Sequence, residues 1–300
     1  MRVLVTGAGG LVGGRLASLL AASFDVVAAR HRTATPPGLA TIPLDLLAPA
    51  SLEAALEGAR PEAVVHAAAL ADPERCQRRP SEAEGLNVAA VHDLAVACRR
   101  RGIRLVSLST DLVFDGSNPF RNEAHPADPI LVYGRTKLHG EEAVLAEAPG
   151  SVVLRVCLVH GRGFGPRSTA SEAITWALAE GRTLALYTDQ YRTPVDPESL
   201  ADAITAILRG AGEGRYHLGG PERVSRHAFG LRVAGARGLP SHGIRAVTQS
   251  EMPPAAPRPA DVSLDSTRAR RDLGWEARPL DDAIREGRAS ADIIPAEPQA

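Results

Sequence analysis

A tyrosine and a lysine lie four residues apart in the segment YGRTK, at Tyr133 and Lys137. On a helix this spacing places the two side chains on one face, one turn apart. A free phenol, with a pKa of about 10, is a poor acid or base at neutral pH. A neighbouring ammonium favours the phenolate and lowers the pKa of the phenol. This pair could therefore supply a proton to an oxygen such as that of a carbonyl group.

A polar segment, Ser109-Thr110-Asp111, interrupts the otherwise apolar stretch LSTDLVFDG (108–116). The residues IRLVSLS (103–109) predict a strand that ends at this point. Functional groups of α/β sheets lie at the carboxyl ends of strands, so Thr110 is a candidate to orient a carbonyl oxygen. The same residue types are common in turns, and Asp111 is interpreted as a turn-capping carboxylate.

A glycine-rich segment, TGAGGLVG (6–13), lies between a predicted strand (2–6) and a predicted helix (10–22). Its glycines are three residues apart and match T-G-x-x-G-x-x-G rather than G-x-G-x-x-G. Such glycines permit a tight turn and let backbone N–H groups approach a pyrophosphate at a helix N-terminus. The alternative is a glycine-rich turn without a ligand. We predict a dinucleotide-binding loop, with contacts from Gly7, Gly10, Leu11, Val12 and Gly13.

The second predicted strand, DVVAA (25–29), ends in three basic residues: Arg30, His31 and Arg32. An acidic residue at this position would hold the ribose 2′-hydroxyl of NAD, whereas guanidinium groups can hold the 2′-phosphate of NADP. The pattern favours NADP(H), with NAD(H) as an alternative, although a solvated basic turn would look the same. Further dinucleotide contacts are predicted where the next two strands end, at Asp45, Leu46, Ala67, Ala68 and Ala69.

Strands and helices alternate through the first half of the chain. Further strands are predicted at 41–46, 63–69 and 151–156, and helices at 51–58, 81–101 and 131–148. This alternation predicts an α/β fold, a Rossmann-type doubly wound parallel sheet.

The alternation loosens after about residue 157. Helices are predicted near 170–180, 197–209, 225–236, 266–273 and 280–287, and GRYHLGG (214–220) could return one strand to the main sheet. We expect a dinucleotide-binding domain at 1–160 and a smaller, partly interleaved C-terminal substrate lobe at 161–288. The tail, 289–300, is expected to be disordered.

Composition excludes several classes of function. The 300 residues carry 34 basic and 35 acidic side chains, a balance that gives no field to hold nucleic acid or an anionic membrane. No apolar run reaches the length of a membrane span, and the N-terminus does not resemble a secretory signal. Three cysteines without C-x-x-C spacing indicate reduced thiols in a cytoplasmic protein, and no motif predicts a metal site.

The motifs TGAGGLVG, VVHAAA, STDLVFDG and YGRTKLHGEEAVL, in this order, resemble the extended short-chain dehydrogenase/reductase family. STD-x-VFDG with Y-G-x-T-K-x-x-G-E is similar to one branch of it, which holds dTDP-4-dehydrorhamnose reductase and the β subunit of methionine adenosyltransferase. YRTPVDPESLADAI (191–204) and RPADVSLDSTRARRDLG (258–274) are similar to the branch's closing motifs, so the likeness covers about residues 1–285.

The resemblance implies a catalytic triad of Thr110, Tyr133 and Lys137, with the lysine also holding the cofactor ribose. Implied cofactor contacts are Asn87, Ser109, Cys157 and Leu158, and implied substrate contacts are Leu112, Val113, Arg192 and Arg258. A helix-interior structural role for Asn87 and solvated arginines are the alternatives. Where the family usually has V-Y-G, this chain has His160 in place of the tyrosine.

These residues predict an NADPH-dependent reductase of a keto group, and the resemblance implies that the group is C4 of a 4-keto-6-deoxy nucleotide sugar. One alternative is an NADP-binding regulatory subunit without turnover. Another is an epimerase or dehydratase of nucleotide sugars, which is less favoured because Leu112 and Val113 supply no carboxylate beside the threonine. The helices at 81–101 and 131–148 could form a homodimer interface, and a monomer is equally compatible with the sequence.

Overall fold

A parallel sheet of seven strands forms the centre of the computed structural model, which describes residues 1–286. The strands are β1 Arg2–Thr6, β2 Asp25–Arg30, β3 Ala40–Pro43, β4 Ala63–His66, β5 Arg104–Thr110, β6 Val152–Val156, β7 Leu184–Tyr187, β8 Tyr191–Arg192, β9 Gly214–Leu218, β10 Val224–Ser225 and β11 Ile244–Val247. The helices are α1 Leu11–Leu20, α2 Pro49–Ala59, α3 Pro73–Arg78, α4 Pro80–Glu84, α5 Ala90–Arg101, α6 Val132–Glu147, α7 Ala170–Ala179, α8 Pro197–Leu208, α9 Arg226–Arg237, α10 Thr267–Leu273 and α11 Leu280–Glu286.

The strand order of the main sheet is β3-β2-β1-β4-β5-β6-β9. The chain winds outward from β1 in one direction and then from β4 in the other, so the predicted doubly wound fold is confirmed. Apolar residues of these strands are buried on both faces, against α1 and α8 on one side and α2, α5 and α6 on the other. Ligands of such sheets bind at the carboxyl ends of the strands where the order reverses, here β1 and β4.

The helix predicted at 81–101 is interrupted. α4 is followed by a π-helical turn, Gly85–Ala89, and only then by α5. The short helix α3 was not predicted. Its N-cap is Asp72, whose Oδ1 accepts hydrogen bonds from the backbone N–H groups of Glu74 and Arg75, each at 3.0 Å. All of these pieces pack against α6.

The second half of the chain forms a smaller lobe and also returns to the first half. β9 pairs in parallel with β6, as predicted for 214–220. Two small sheets that were not predicted, β8 with β10 and β7 with β11, belong to the lobe. The segment 259–264 crosses back, since Asp261 N–H donates to the Gly116 carbonyl at 3.1 Å. The interleaving is therefore extensive. The expected tail, 289–300, lies outside the described residues.

None of the helices described within residues 1–286 is both long enough and apolar enough to cross a membrane.

Candidate active site

Helix α6 lies directly against the carboxyl end of β5. The Lys137 ammonium donates to the Leu108 carbonyl at 2.8 Å, and the side chain of Thr110 is hydrogen-bonded to the phenol of Tyr133. Gly134 makes this approach possible, because a Cβ atom there would lie 2.0 Å from the Leu112 carbonyl oxygen. The structure thus brings Thr110, Tyr133 and Lys137 together on one face of the helix.

The pKa of Tyr133 is raised rather than lowered. Burial is the main cause, and the nearby Asp111 carboxylate adds to it, while the hydrogen bond with Thr110 opposes the rise. The expectation that the Lys137 ammonium makes this phenol more acidic is therefore not met in the protein alone, because desolvation of the phenolate dominates its pKa. At neutral pH the phenol is protonated.

Burial also acts on Lys137, and it lowers the pKa of the ammonium to about 8, while the carboxylate of Glu141 opposes this shift. Glu141 follows Lys137 by one helical turn. From the sequence alone, His139, Glu141 and Glu142 indicate a solvated helix face, but for Glu141 this expectation is wrong, since it is buried against Arg155 of β6. Glu142 does face solvent.

The glycine loop has the geometry of a phosphate cradle. Gly7 has a φ of +68°, and a Cβ atom there would lie 2.6 Å from Ala68 N. A Cβ atom at Gly13 would lie 2.4 Å from the Gly7 carbonyl oxygen. These contacts press the loop against the end of β4, at Ala67 and Ala68. Helix α1 then begins at Leu11 with no side-chain cap, which leaves its first N–H groups for an anion.

The basic turn after β2 lies beside this loop. Arg30, His31 and Arg32 are exposed, and Thr33 packs close to Gly9, where an added Cβ would be 2.9 Å from the threonine side chain. His31 Nε2 lies 3.6 Å from Asp45 Oδ2. The residues predicted to contact the adenosine half of the dinucleotide thus lie close together beside the glycine loop. The exception is Leu46, whose side chain is buried in the core.

Several predicted contacts have side chains that are already engaged or buried. Asn87 lies in the π-helical turn, where its amide bonds to both backbone groups of Leu70 and to Thr136 Oγ1. Val113 is fully buried in a core cluster, so a substrate contact by its side chain is ruled out. The Cys157 thiol donates to Asp111 Oδ2 at 3.0 Å, and the Leu158 carbonyl accepts from Val195 N at 3.1 Å. The side chains of Asn87, Val113 and Cys157 are therefore engaged in contacts within the protein.

Asp111 is not the turn cap that the sequence indicated. Its side chain is buried beside Tyr133, where Oδ1 accepts from Thr110 at 3.0 Å and Oδ2 lies 3.8 Å from Arg192 Nε. Burial raises the pKa of this carboxyl, and the Arg192 guanidinium opposes the rise. From the sequence alone, an aspartate at the end of a strand is interpreted as a turn residue, because the segment that buries it comes much later in the chain.

Arg192 and Arg258 lie near a third arginine that sequence analysis missed. Arg226, at the start of α9, is half-buried near Arg192, Arg258 and Asp111, and desolvation of its guanidinium, followed by the charge of Arg192, lowers its pKa to about 10. Its Nη1 and the nearby buried Gln190 Nε2 have no hydrogen-bond partner among residues 1–286. Arg192 is mostly buried and donates to carbonyl oxygens of Tyr191 and Pro259, whereas Arg258 pairs with Glu74 at 3.6 Å. We call Arg192, Arg226 and Arg258 the arginine cluster.

Comparisons with known proteins give one family. The model of the RmlD substrate binding domain matches residues 1–291. Among curated proteins, the chain is 29% identical over 292 residues to a probable low-salt glycan biosynthesis reductase, Agl14, of Haloferax volcanii, covering 95% of this chain and 96% of that protein. It is 30% identical over 295 residues to methionine adenosyltransferase 2 subunit beta of Xenopus laevis, covering 95% and 86%.

A similar solved structure is that of dTDP-4-dehydrorhamnose reductase from Bacillus anthracis in complex with NADP. It superposes with a TM-score of 0.86 at 21% identity, covering 97% of this chain and 99% of that one, a likeness that concerns the fold. The family match extends across both lobes and includes every motif of the site described above. This chain therefore belongs to the RmlD substrate binding domain family.

Proposed function

We propose that the protein is an NADPH-dependent reductase that converts the 4-keto group of a 6-deoxy nucleotide sugar to an alcohol. The observation that carries this proposal is the convergence of Thr110, Tyr133 and Lys137 where β5 meets α6, beside the glycine loop. The names of the Haloferax and Bacillus relatives, a glycan biosynthesis reductase and a dTDP-4-dehydrorhamnose reductase, support the same chemistry.

The cradle fits a dinucleotide, since Gly7 and Gly13 let the loop pack tightly against the end of β4, where any Cβ would clash with backbone atoms, and α1 begins uncapped. The loop and α1 would hold the pyrophosphate, Arg30 and Arg32 the 2′-phosphate, and Lys137 the ribose next to the nicotinamide. When bound, NADPH supplies the hydride.

Tyr133 is suited to donate the proton in this direction of reaction. A carbonyl that accepts hydride becomes an alkoxide, which is far more basic than a phenolate. A phenol kept neutral by burial is therefore in the required form and transfers its proton favourably. Thr110, hydrogen-bonded to Tyr133, would orient the carbonyl oxygen toward the phenol. The Lys137 ammonium would stabilise the phenolate that remains.

The arginine cluster supports a substrate that carries phosphate. Arg226 Nη1 and Gln190 Nε2 are buried donors without protein partners in the described part of the chain, and such donors are costly unless a ligand satisfies them. Guanidinium groups bind phosphate oxygens strongly because their donors form a planar fork. A nucleoside diphosphate linked to the sugar matches these donors, and the cluster adjoins Asp111, which accepts from Thr110.

Two other functions fit the same fold. An NADP-binding regulatory subunit is favoured by the likeness to methionine adenosyltransferase 2 subunit beta. Dehydration of a nucleotide sugar would need a free carboxyl group beside the threonine. Asp111 stands there, but its oxygens accept from Thr110 and Cys157 and face Arg192, which argues against that use. A homodimer through α5 and α6 stays a prediction.

The test is direct. Purified protein mixed with NADPH and a panel of dTDP- and UDP-linked 4-keto-6-deoxy sugars should oxidise the cofactor, followed as loss of its near-ultraviolet absorbance. Tyr133→Phe should lower kcat by roughly 10²–10⁴-fold while NADPH binding, measured by fluorescence, is retained. Tyr187→Phe is the matched control, since that phenol donates to Met252 O in the second lobe. NADPH binding without oxidation of any panel member would favour the regulatory subunit.

A further inference from the structure

Glu141 joins four elements of the sheet and helix at one buried carboxylate. Ser109 Oγ of β5 donates to Oε1 at 2.5 Å. Arg155 of β6 donates from Nε to Oε1 at 2.9 Å and from Nη2 to Oε2 at 2.8 Å. Arg215 of β9 donates from Nε to Oε2 at 3.1 Å. The side chains of Glu141 and Arg155 are almost completely buried, with 1% and 2% exposed.

The same face of α6 carries Lys137 one turn earlier and Tyr133 one turn before that. Three successive residues of β5 meet these three side chains: the Leu108 carbonyl meets Lys137, Ser109 meets Glu141, and Thr110 meets Tyr133. These three contacts fix the position of α6 along β5. A helix that shifted along β5 would break all three contacts together.

A buried ion pair is an expensive way to hold a helix, since apolar residues of similar size often stabilise as much. The pair also has an electrostatic effect, because a carboxylate one helical turn from an ammonium favours its protonated form. The other ionisable groups facing this region are His66 of β4, Cys76 of α3, Asp111 of the turn after β5, and Tyr133 itself. Of these, His66 is neutral because burial lowers its pKa to about 3, and Asp111 acts on the phenol.

We propose that Glu141 is a positioning residue for the site, and that its carboxylate holds Lys137 in register with β5 and keeps its ammonium charged at neutral pH. Arg155, which binds both carboxylate oxygens, sets how much of this negative charge reaches the lysine. The role of Lys137 in reduction rests on the proposed function, but the charge relation between Glu141 and Lys137 can be measured without turnover.

Lys137 is the only lysine of the chain; every other member of the 34 basic side chains is an arginine. Protein labelled with ¹³Cε-lysine therefore gives a single lysine resonance, and its shift followed against pH reports the titration of Lys137 alone. In Glu141→Gln the midpoint should fall by roughly one pH unit, because burial is no longer opposed. In Arg155→Gln it should rise, because the Glu141 charge is no longer neutralised by its main partner.

Glu142→Gln is the matched control, because it removes the same charge from the next position, which is exposed. Its midpoint should equal that of the parent protein. The two variants are expected to move the midpoint in opposite directions, which a common loss of folding would not do. Arg155→Gln also leaves the Glu141 carboxylate paired with Arg215 and Ser109. Thermal unfolding identifies the variants that are folded.

Equal midpoints in the parent and in folded Glu141→Gln, or a downward shift in Arg155→Gln, would overturn the inference and leave the ion pair a purely structural feature. If turnover is found, the alkaline limb of kcat/KM should move with the resonance. Absence of turnover with every keto sugar would remove the proposed reductase function, yet the titration would still decide the role of Glu141.

Discussion

Arg226 stands apart from its neighbours in the arginine cluster because Arg192 and Arg258 already have protein partners. A buried guanidinium nitrogen without an acceptor within residues 1–286 costs free energy in the folded protein, and this cost is recovered if a ligand supplies the acceptor. A hydrogen bond from Arg226 to a charged oxygen of the substrate would stabilise the bound substrate and the transition state equally. Its removal should therefore affect KM more than kcat.

We predict that Arg226→Gln raises KM for the nucleotide sugar by roughly 10- to 100-fold with a much smaller change in kcat, as expected for the loss of one charge-assisted hydrogen bond. Steady-state kinetics with the best substrate of the panel measures both. Arg245→Gln, at an exposed position of β11, is the control and should keep the parent KM. An unchanged KM in Arg226→Gln would mean that the phosphate groups bind elsewhere.

Arg30 determines which dinucleotide is preferred if the turn after β2 holds the 2′-phosphate. Arg30→Asp should weaken NADPH binding at least tenfold and leave or improve NADH binding, since a carboxylate repels phosphate and can accept from a ribose hydroxyl. Fluorescence titration gives both dissociation constants. Arg60→Asp, beyond α2 at the opposite end of the sheet, changes the net charge equally and should leave their ratio unaltered. An unchanged ratio in Arg30→Asp would mean that the turn after β2 is solvated and does not contact the 2′-phosphate.

At the residue scale, the glycine loop and the triad could be predicted because their spacing is local. Tyr133 and Lys137 are one helical turn apart, and Thr110 ends a recognisable strand. Glu141 could not be identified as buried, because its partners Arg155 and Arg215 come from β6 and β9. Asp111 was misinterpreted for the same reason, since Arg192 reaches it from the second lobe.

The π-helical turn at 85–89 packs closely against α6. It presents the Asn87 amide to Leu70 and Thr136, while the Asn87 carbonyl lies where α6 comes closest, at Gly140. The sequence predicted one helix over 81–101 because its apolar spacing changes little across the turn. The strands β7, β8, β10 and β11 were missed since two to four residues are too few to show an alternating pattern.

The packing of α6 against the π-helical turn can be tested by substituting Gly140. A Cβ atom there would lie 2.4 Å from the Asn87 carbonyl oxygen, so Gly140→Ala should lower the free energy of unfolding by roughly 1–3 kcal/mol despite the better helix propensity of alanine. Gly235→Ala, within α9, meets no atom within 4 Å and should instead stabilise by about 0.5–1 kcal/mol. Urea unfolding of both variants measures the difference. Stabilisation by both would show that α6 is free to move away from the π-helical turn.

Three buried histidines connect the stability of the whole molecule to pH. His66 lies on β4, His160 in the loop after β6 and His217 on β9, and burial lowers their pKa values to about 3, 4 and 3, respectively. His160 packs edge-on against Phe229 of the second lobe, and its Nδ1 has no partner among the residues that the structure describes. Each ring is neutral when folded and regains its ordinary pKa of about 6.5 when the chain unfolds.

We therefore predict that the protein loses stability as pH falls from about 6.5 toward 4, because the unfolded chain then binds protons that the folded one does not. Each histidine contributes up to about 1.4 kcal/mol per pH unit, and the raised pKa values of Asp111 and Glu123 offset part of this at the acid end. Urea unfolding at several pH values measures the slope. His160→Leu should make the slope shallower by about one proton, whereas His242→Gln, on an exposed turn, should leave it unchanged. A parent slope retained in His160→Leu would mean that this ring becomes protonated without unfolding, by opening of the contact between the two lobes.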